Sequence, residues 1–338
     1  SKTKQSAVNS AFYLIMLFLP KIIVIVGPTG SGKTDLGIFL AKKFNGEVIN
    51  ADSRQIYRGM DIGTGKPKFE TRDYKIKGVK HHLFDIAWPS QIISVAIWKK
   101  KAERVIKDIL KRGKLPIMVG GTGLYVQALV ENLKIPAVPP NQKLREEFGK
   151  KTGEQLLSLL KKMDPEAAVK LDPKNPRRII RALEVSIWSG EPFSKQQRKG
   201  EPKYEALELG VFISRDKLYE RIDRRVGEMM KMGWLREVEK LSRRYSASTS
   251  AMSGIGYQEL AHYSLSLPNG TKHQDTKYHK TGRSAKNVMP GDLEKVVQKI
   301  KYRVHHYARR QLTWCRRDKN IKWIKTKQEA LSLVRKFI

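Results

Sequence analysis

Residues 22–34 read Ile-Ile-Val-Ile-Val-Gly-Pro-Thr-Gly-Ser-Gly-Lys-Thr. The first five form an apolar strand, and a helix over 33–44 follows. Strand, glycine-rich turn and helix in this order make a phosphate-cradling loop. Glycines let the backbone wrap an anion, and the amides of the loop and helix start then point at phosphate oxygens. Lys33 adds a point charge, and the Thr34 hydroxyl suits a magnesium ion. The stretch Gly27, Pro28, Thr29, Gly30, Ser31, Gly32, Lys33 and Thr34 is therefore a candidate site for a di- or triphosphate.

Working outward, apolar strands and amphipathic helices alternate through the first half. Strand 47–50 follows the first helix; helix 94–112 leads to strand 116–119, and helix 123–131 comes next. On helix 94–112, Val95, Trp98, Ala102, Val105, Ile109 and Arg112 recur at helical spacing. This alternation predicts an α/β fold, a P-loop NTPase-like parallel sheet flanked by helices. Three prolines in 136–140 interrupt it. Residues 141–190 read as two or three helices, one opening at Asn175-Pro176, a capping residue with proline at the first helical position. The expected division is an N-terminal extension at 1–20, a first part of the core at 21–135 and a helical insertion domain at 136–203. The core then resumes at 204–338, with a strand at 206–213 and helices at 215–232, 235–245 and 293–310. Residues 263–291, rich in Ser, Asn, Gly, Lys and His, read as a long, mobile, basic loop.

The chain of 338 residues carries 67 Lys+Arg against 33 Asp+Glu, a formal net charge of +34. Such an excess costs self-repulsion, and a polyanion larger than one nucleotide would use it, nucleic acid first. The apolar run 11–19 is too short to span a bilayer and has no small-residue cleavage site after it, so export is not expected. The single Cys315 excludes an intramolecular disulfide framework and fits a reducing cytosol, hence a cytoplasmic protein with no membrane partner.

Two features stand where open parallel sheets gather their catalytic groups, at the carboxyl ends of strands. Asp52, just past strand 47–50, can accept a proton from a nucleophile or help hold magnesium; it can equally be a turn aspartate. Strand 116–119 ends in Gly120-Gly121-Thr122-Gly123 without the carboxylate that ATP-hydrolysing phosphate-loop proteins place there. Backbone then lines the site, and two facing glycine turns suggest a channel. Three basic clusters complete the picture. Arg177 and Arg181 share one helix face, Arg221 and Arg225 share another, and 309–317 interleaves arginine with Trp314, a mixture suited to phosphates and unstacked bases.

Together these motifs resemble the bacterial tRNA dimethylallyltransferases. The resemblance runs from Lys21 to Arg317 and rests on the phosphate loop, the block 50–67 (Asn-Ala-Asp-Ser-Arg-Gln-Ile-Tyr-Arg-Gly-Met-Asp-Ile-Gly-Thr-Gly-Lys-Pro), His-His-Leu-Phe-Asp at 81–85, Gly-Gly-Thr-Gly-Leu-Tyr at 120–125, Arg-Ala-Leu-Glu-Val at 181–185 and Arg-Arg-Gln-Leu-Thr-Trp at 309–314. It implies transfer of a dimethylallyl group from dimethylallyl diphosphate to N6 of the adenosine 3′ of the anticodon (A37), in tRNAs reading codons that begin with U, with release of diphosphate. It makes Asp52 the general base, places Thr29 on the bridging oxygen of the leaving group and Arg221 on the diphosphate, and leaves Thr34 with Mg2+.

The implied partners are the tRNA anticodon stem-loop and dimethylallyl diphosphate, with a monomeric enzyme. The implied tRNA contacts are Asp52, Ser53, Arg54, Gln55, Thr122, Arg177, Arg178, Ile179, Ile180, Arg181, Ser253, Gly254, Ile255, Gly256, Tyr257, Gln258, Arg309, Arg310, Gln311, Leu312, Thr313, Trp314, Cys315 and Arg316. Ser253 and Gln258 stand where the family commonly carries longer polar or basic side chains. The adenine would have to leave its stack to reach a buried allyl group. The competing readings are a phosphate-loop small-molecule kinase, a prenyltransferase acting on free adenine nucleotides, and an RNA-binding ATPase.

Overall fold

The computed structural model describes residues 19–136, 138–196, 198–266 and 290–338. In chain order the elements are β1 (Lys21–Val26), α1 (Lys33–Lys43), β2 (Gly46–Asn50), β3 (Lys75–Ile76), β4 (Val79–His82), α2 (Val95–Lys111), β5 (Leu115–Gly120), α3 (Gly123–Val130), β6 (Leu133–Lys134), α4 (Gln142–Phe148), α5 (Gly153–Met163), α6 (Pro165–Lys170), α7 (Pro176–Ser189), α8 (Phe193–Gln196), β7 (Arg198–Lys199), β8 (Glu205–Val211), α9 (Arg215–Lys231), α10 (Trp234–Ser242), α11 (Tyr257–Ser266), α12 (Pro290–Arg317), β9 (Lys322–Ile324) and α13 (Lys327–Phe337).

One compact unit runs to Ser94 and takes in Lys101–Val126 and Tyr204–Ile338. Its seven-stranded sheet has the order β3-β4-β2-β5-β1-β8-β9, parallel at every pairing except the β3–β4 hairpin. β1 lies between β5 and β8, and its residues Ile22, Ile23, Val24, Ile25 and Val26 are all buried. That burial is why the strand reads as an unbroken apolar run rather than an alternation. The register sets Val26 beside both Gly120 and Gly210. The phosphate loop after β1 and the glycine turn after β5 therefore emerge side by side at the carboxyl edge.

A buried carboxylate ties the other end of β2. Glu47 accepts from Arg112 Nη2 at 2.8 Å, from Lys114 Nζ at 2.8 Å and pairs with His82 Nε2 at 2.7 Å. Burial by itself would raise its carboxyl, but these hydrogen bonds hold it far below the usual carboxylate range.

The other compact unit, Val95–Lys100 with Gln127–Lys203, is a helical cluster plus the short antiparallel pair β6–β7. Its core gathers Phe148, Leu156, Leu160, Ile179, Ala182, Leu183 and Val185. Glu184, buried in α7, accepts from Arg145 Nε at 2.6 Å and from Arg181 Nη1 at 3.3 Å. Thr152 opens α5 with a full capping box closed by Gln155.

Several expectations need correction. Residues 141–190 hold four helices rather than two or three, because Asp164 both ends α5 and caps α6, splitting one apolar stretch in two. Residues 263–266 belong to α11, not to the loop, since Leu260, Ala261 and Tyr263 bury one helix face. The rest of that loop, 267–289, lies outside the described residues, as does most of the 1–20 extension. Several elements passed unread: β3, β4, β6, β7, α8 and α11, and at the end of the chain β9 and α13. β9 has only three residues, too few to show a period, and α13 follows it directly behind a Thr326 cap.

Candidate active site

The two glycine turns and the chain after β2 are knitted by backbone contacts that a side chain would forbid. A Cβ on Gly120 would fall 2.2 Å from the Ala51 carbonyl oxygen, and one on Gly123 would fall 2.3 Å from the Trp314 ring. The Ser53 amide donates to Thr122 Oγ1 at 3.0 Å, and the Thr122 hydroxyl donates to Ser53 Oγ at 3.2 Å. Gln311, projecting from α12, takes the Thr29 amide on Oε1 at 2.8 Å and gives its Nε2 to the Gly121 carbonyl at 2.9 Å. Gln311 thus bolts the phosphate loop to the second glycine turn.

Around these contacts opens a cavity of about 530 Å³. Thr29, Asp52, Ser53, Arg54, Thr122, Ser253, Gly254, Ile255, Tyr257, Arg310, Gln311 and Trp314 line it, all expected from sequence. Much of its remaining wall is apolar, with Ile222, Val226 and Met229 on one face of α9, then Trp234, Val304 and Tyr307, while Arg225 and Arg303 add two basic side chains. Asp52 is half-buried; its Oδ1 accepts the Arg54 amide at 2.8 Å and its own amide donates to Asn50 Oδ1 at 3.1 Å. Those bonds fix the carboxylate at the cavity wall while leaving Oδ2 for a substrate proton.

In the phosphate loop, Gly30 and Gly32 take φ of 81° and 94°, and Gly32 is the residue ahead of α1. Lys33 Nζ folds back on the Pro28 carbonyl at 3.0 Å. Burial pushes its ammonium down to about 8, a drop opposed by the charge on Asp52 and reinforced by Arg225. Ser31 Oγ is buried without a hydrogen-bond partner, the state expected of a donor that completes its shell on a bound anion. Thr34 is exposed in the first turn of α1. Among the described residues no cluster of His, Cys, Asp or Glu is arranged to hold a metal ion. A lone hydroxyl without nitrogen or sulfur donors suits a hard cation that takes its other ligands from phosphate and water.

The remaining expected residues have different positions. Arg221 does not line this cavity; it lines a basic groove on the other side of the loop, shared with Ser31, Gly32, Lys217 and Lys325. Gln55 turns inward, donating to the carbonyls of Thr64 at 3.2 Å and Gly65 at 3.1 Å. Ile179, Gly256 and Cys315 are buried, and burial pushes the Cys315 thiol up to about 11. Arg309, Thr313 and Arg316 are exposed on α12, and Leu312 and Gln258 are half-buried. In the helical unit Arg177 and Arg178 are exposed, Ile180 is half-buried, and Arg181 spends a donor on the Val138 carbonyl at 2.9 Å.

Sequence reading assigned no role to Arg225, Trp234 or Tyr307, which also line the cavity. The only signal for Arg225 was its spacing of four from Arg221. Trp234 is marked by two glycines, because a Cβ at Gly63 would lie 1.8 Å and one at Gly256 2.0 Å from its indole.

The sequence matches the family model for IPP transferase over residues 55–318, and the model for isopentenyl transferase over residues 20–83. The chain belongs to the IPP transferase family. A tRNA dimethylallyltransferase of Pelotomaculum thermopropionicum is 40% identical over 315 residues, covering 91% of this chain and 92% of its own. One from Geobacillus thermodenitrificans is 41% identical over 309 residues, 90% of each chain. Among solved structures, the full-length tRNA isopentenylpyrophosphate transferase of Bacillus halodurans matches with a TM-score of 0.63 at 35% identity, over 94% of this chain and 95% of its own. A eukaryotic dimethylallyltransferase captured acting on tRNA matches with a TM-score of 0.74 at 26% identity, over 94% of this chain and 79% of its own. The IPP transferase fold accounts for the mostly parallel sheet built around the phosphate loop.

Proposed function

We propose that this IPP transferase family member moves a dimethylallyl group from dimethylallyl diphosphate to N6 of A37 in tRNAs that read codons beginning with U, and releases diphosphate. The observation that carries this is the shared cavity: the leaving-group side (Thr29) and a fixed carboxylate (Asp52) face one space with a long apolar wall. A diphosphate on the loop would direct its five-carbon tail along Ile222 and Val226. A flipped adenine would come from the side lined by Arg54, Arg310 and Trp314, whose basic and aromatic groups suit an extruded base and its phosphates. A kinase acting on small metabolites has no use for that mouth.

The chain's own groups act as follows. Asp52 takes the proton from N6 as nitrogen bonds to the allyl C1. The C1–O bond breaks, and its electron pair leaves on the diphosphate, towards which Thr29 can turn its hydroxyl. Lys33 and the loop amides hold the growing negative charge. Thr34 would hold a magnesium ion through its hydroxyl, and that ion would neutralise part of the diphosphate charge. Among the described residues no helix is long and apolar enough to cross a membrane, and we take the enzyme to act as a monomer in the cytoplasm.

The test is incubation of purified protein with dimethylallyl diphosphate and unmodified tRNA, followed by nucleoside mass analysis. The prenyl mass is expected on adenosine; its absence, with the protein folded, defeats the reading. Asp52→Asn should lose turnover by about 100-fold or more while tRNA binding persists, and near-normal turnover would remove Asp52 as the base.

A further inference from the structure

The apolar side of the cavity has a direction. Ile222 packs on the phosphate loop, where a Cβ on Gly30 would lie 3.4 Å from its Cγ1. A donor whose diphosphate sits on that loop therefore starts its hydrocarbon tail beside Ile222. From there α9 carries Val226 and then Met229 along the same face. The helix advances about 10 Å between Ile222 and Met229. With bonds of about 1.5 Å, a dimethylallyl tail reaches roughly 4 Å from C1 to its last carbon, and a ten-carbon geranyl tail roughly 9 Å. The shorter tail ends near Val226. The longer one runs into the Met229 side chain, which leans back toward Val226 because helical side chains tilt toward the N-terminus of their helix.

Methionine alone makes a soft stop, since a thioether rotates out of the way. Here a stiff neighbour adjoins it. Trp234, the first residue of α10, is buried, lines the same cavity and rests its indole on the bare α-carbons of Gly63 and Gly256. Tyr257 meets it edge-on, with ring centroids 5.9 Å apart and planes at 75°. One turn along α10, Glu237 accepts three consecutive amides: Asp61 at 2.8 Å and Ile62 at 2.7 Å on Oε2, and Gly63 at 3.0 Å on Oε1. The Tyr257 hydroxyl donates to Oε1 at 2.7 Å. One carboxylate, itself outside the cavity, thus ties down both pieces that trap the indole. The Asp-Ile-Gly-Thr-Gly block at 61–65, to which the chemistry above gives no task, becomes part of a braced wall. A wall sorts tails by length only if it does not yield, because forcing extra methylenes into packed side chains is what costs free energy.

We propose that Met229, backed by Trp234, is the stop that restricts the donor to a five-carbon allylic diphosphate, and that Glu237 is the positioning residue that keeps this wall rigid. The inference rests on the prenyl-transfer reading. The bonds changed are the same for either donor: N6 bonds to C1, the C1–O pair leaves on diphosphate, and the N6 proton goes to Asp52. Only the tail differs, so selection falls to the wall that the tail meets. Removing the thioether makes room for a second isoprene unit, and transfer of a geranyl group to the same nitrogen becomes an activity of the variant.

The experiment compares dimethylallyl and geranyl diphosphate as donors to unmodified tRNA, with each prenyl mass read on adenosine. Full-length wild type, Met229→Ala, Trp234→Leu and Glu237→Gln are each assayed with both donors on one preparation, so any loss of folded protein cancels from the ratio of the two kcat/KM values. The wild type should favour the five-carbon donor by about 100-fold or more. Met229→Ala should narrow that ratio by about 10- to 100-fold, gaining with geranyl diphosphate and losing with the shorter donor. Trp234→Leu should move it the same way, and Glu237→Gln by about threefold to tenfold with tRNA affinity unchanged. A wild type that uses both donors equally, or a ratio unmoved in both Met229→Ala and Trp234→Leu, would refute the stop. A ratio unmoved in Glu237→Gln would refute the bracing. If Met229→Ala fails to fold, Met229→Val takes its place and the same comparison decides. Wild-type protein that makes no dimethylallyl-adenosine would defeat the underlying reading; an active wild type whose selectivity none of the variants alters would defeat only this inference.

Discussion

Lys33 gives the sharpest prediction because two pH trends of opposite sign follow from one group. In the free protein its ammonium sits at about 8, against an ordinary value of 10.5, with burial as the main cause. A diphosphate beside it restores the charge and lifts the value again. Below pH 8 the lysine is already charged and binding needs no proton. Above pH 8 binding takes up a proton, so affinity for dimethylallyl diphosphate should fall about tenfold per pH unit until the bound-state value is reached. Stability of the unliganded protein moves the other way. The unfolded chain holds the proton up to about 10.5 and the folded chain releases it from about 8, so the Lys33 contribution to stability rises across that window.

Calorimetric titration of the donor at pH 7 to 10, in two buffers of different ionisation heat, counts the protons directly. Lys33→Met serves as the reference for the ligand's own titration and for melting curves. Near-zero proton uptake at pH 9 in the wild type, or an affinity whose pH slope equals that of Lys33→Met, would refute the assignment.

Three further outcomes follow from particular contacts. Gly123→Ala puts a Cβ 2.3 Å from the Trp314 ring, so the indole must shift; kcat/KM for tRNA should drop roughly 10- to 100-fold, and steady-state kinetics check it. Glu47→Gln leaves Arg112, Lys114 and His82 around a neutral group and should cost about 3–5 kcal/mol in urea unfolding. The Glu47 contribution is complete above the ordinary glutamate value and is lost as pH falls through its low folded value, so the wild type should lose stability towards acid more steeply than the variant, in which Asp164 and Glu184 still contribute. Finally, tRNA binding should weaken with salt at a log–log slope of about −0.7 for each phosphate neutralised in a single-stranded loop. A flat response between low and physiological ionic strength would separate the net charge of +34 from RNA binding.

Local order made much of the site legible. The phosphate loop could be read because its parts are consecutive: a buried strand, three glycines and a helix start leave the backbone few alternatives. Asp52 could be placed because it stands two residues past the end of β2, and parallel sheets present that position at one edge. Gln311 shows where such reading stops. It lies in a basic-aromatic segment that suits RNA, yet its amide spans two glycine turns 190 and 282 residues away in the chain. Gln55, beside Asp52, is likewise spent on the 64–65 carbonyls. Neither use leaves a mark on its own neighbourhood in the sequence.

The sequence by itself determined the phosphate cradle, the parallel sheet around it, the absence of a carboxylate after β5 and the surplus of positive charge. All four depend on residues adjacent in the chain, or on sums over it. Only the tertiary structure decided which basic groups face the reaction. Arg221 and Arg225 read alike as neighbours on one helix face, but Arg221 lines an outer groove with Ser31 and Gly32, whereas Arg225 lines the cavity and donates to the Gly65 carbonyl. Helical spacing fixes the angle between two side chains on their own helix, whereas what each of them meets depends on a loop brought in from 160 residues earlier.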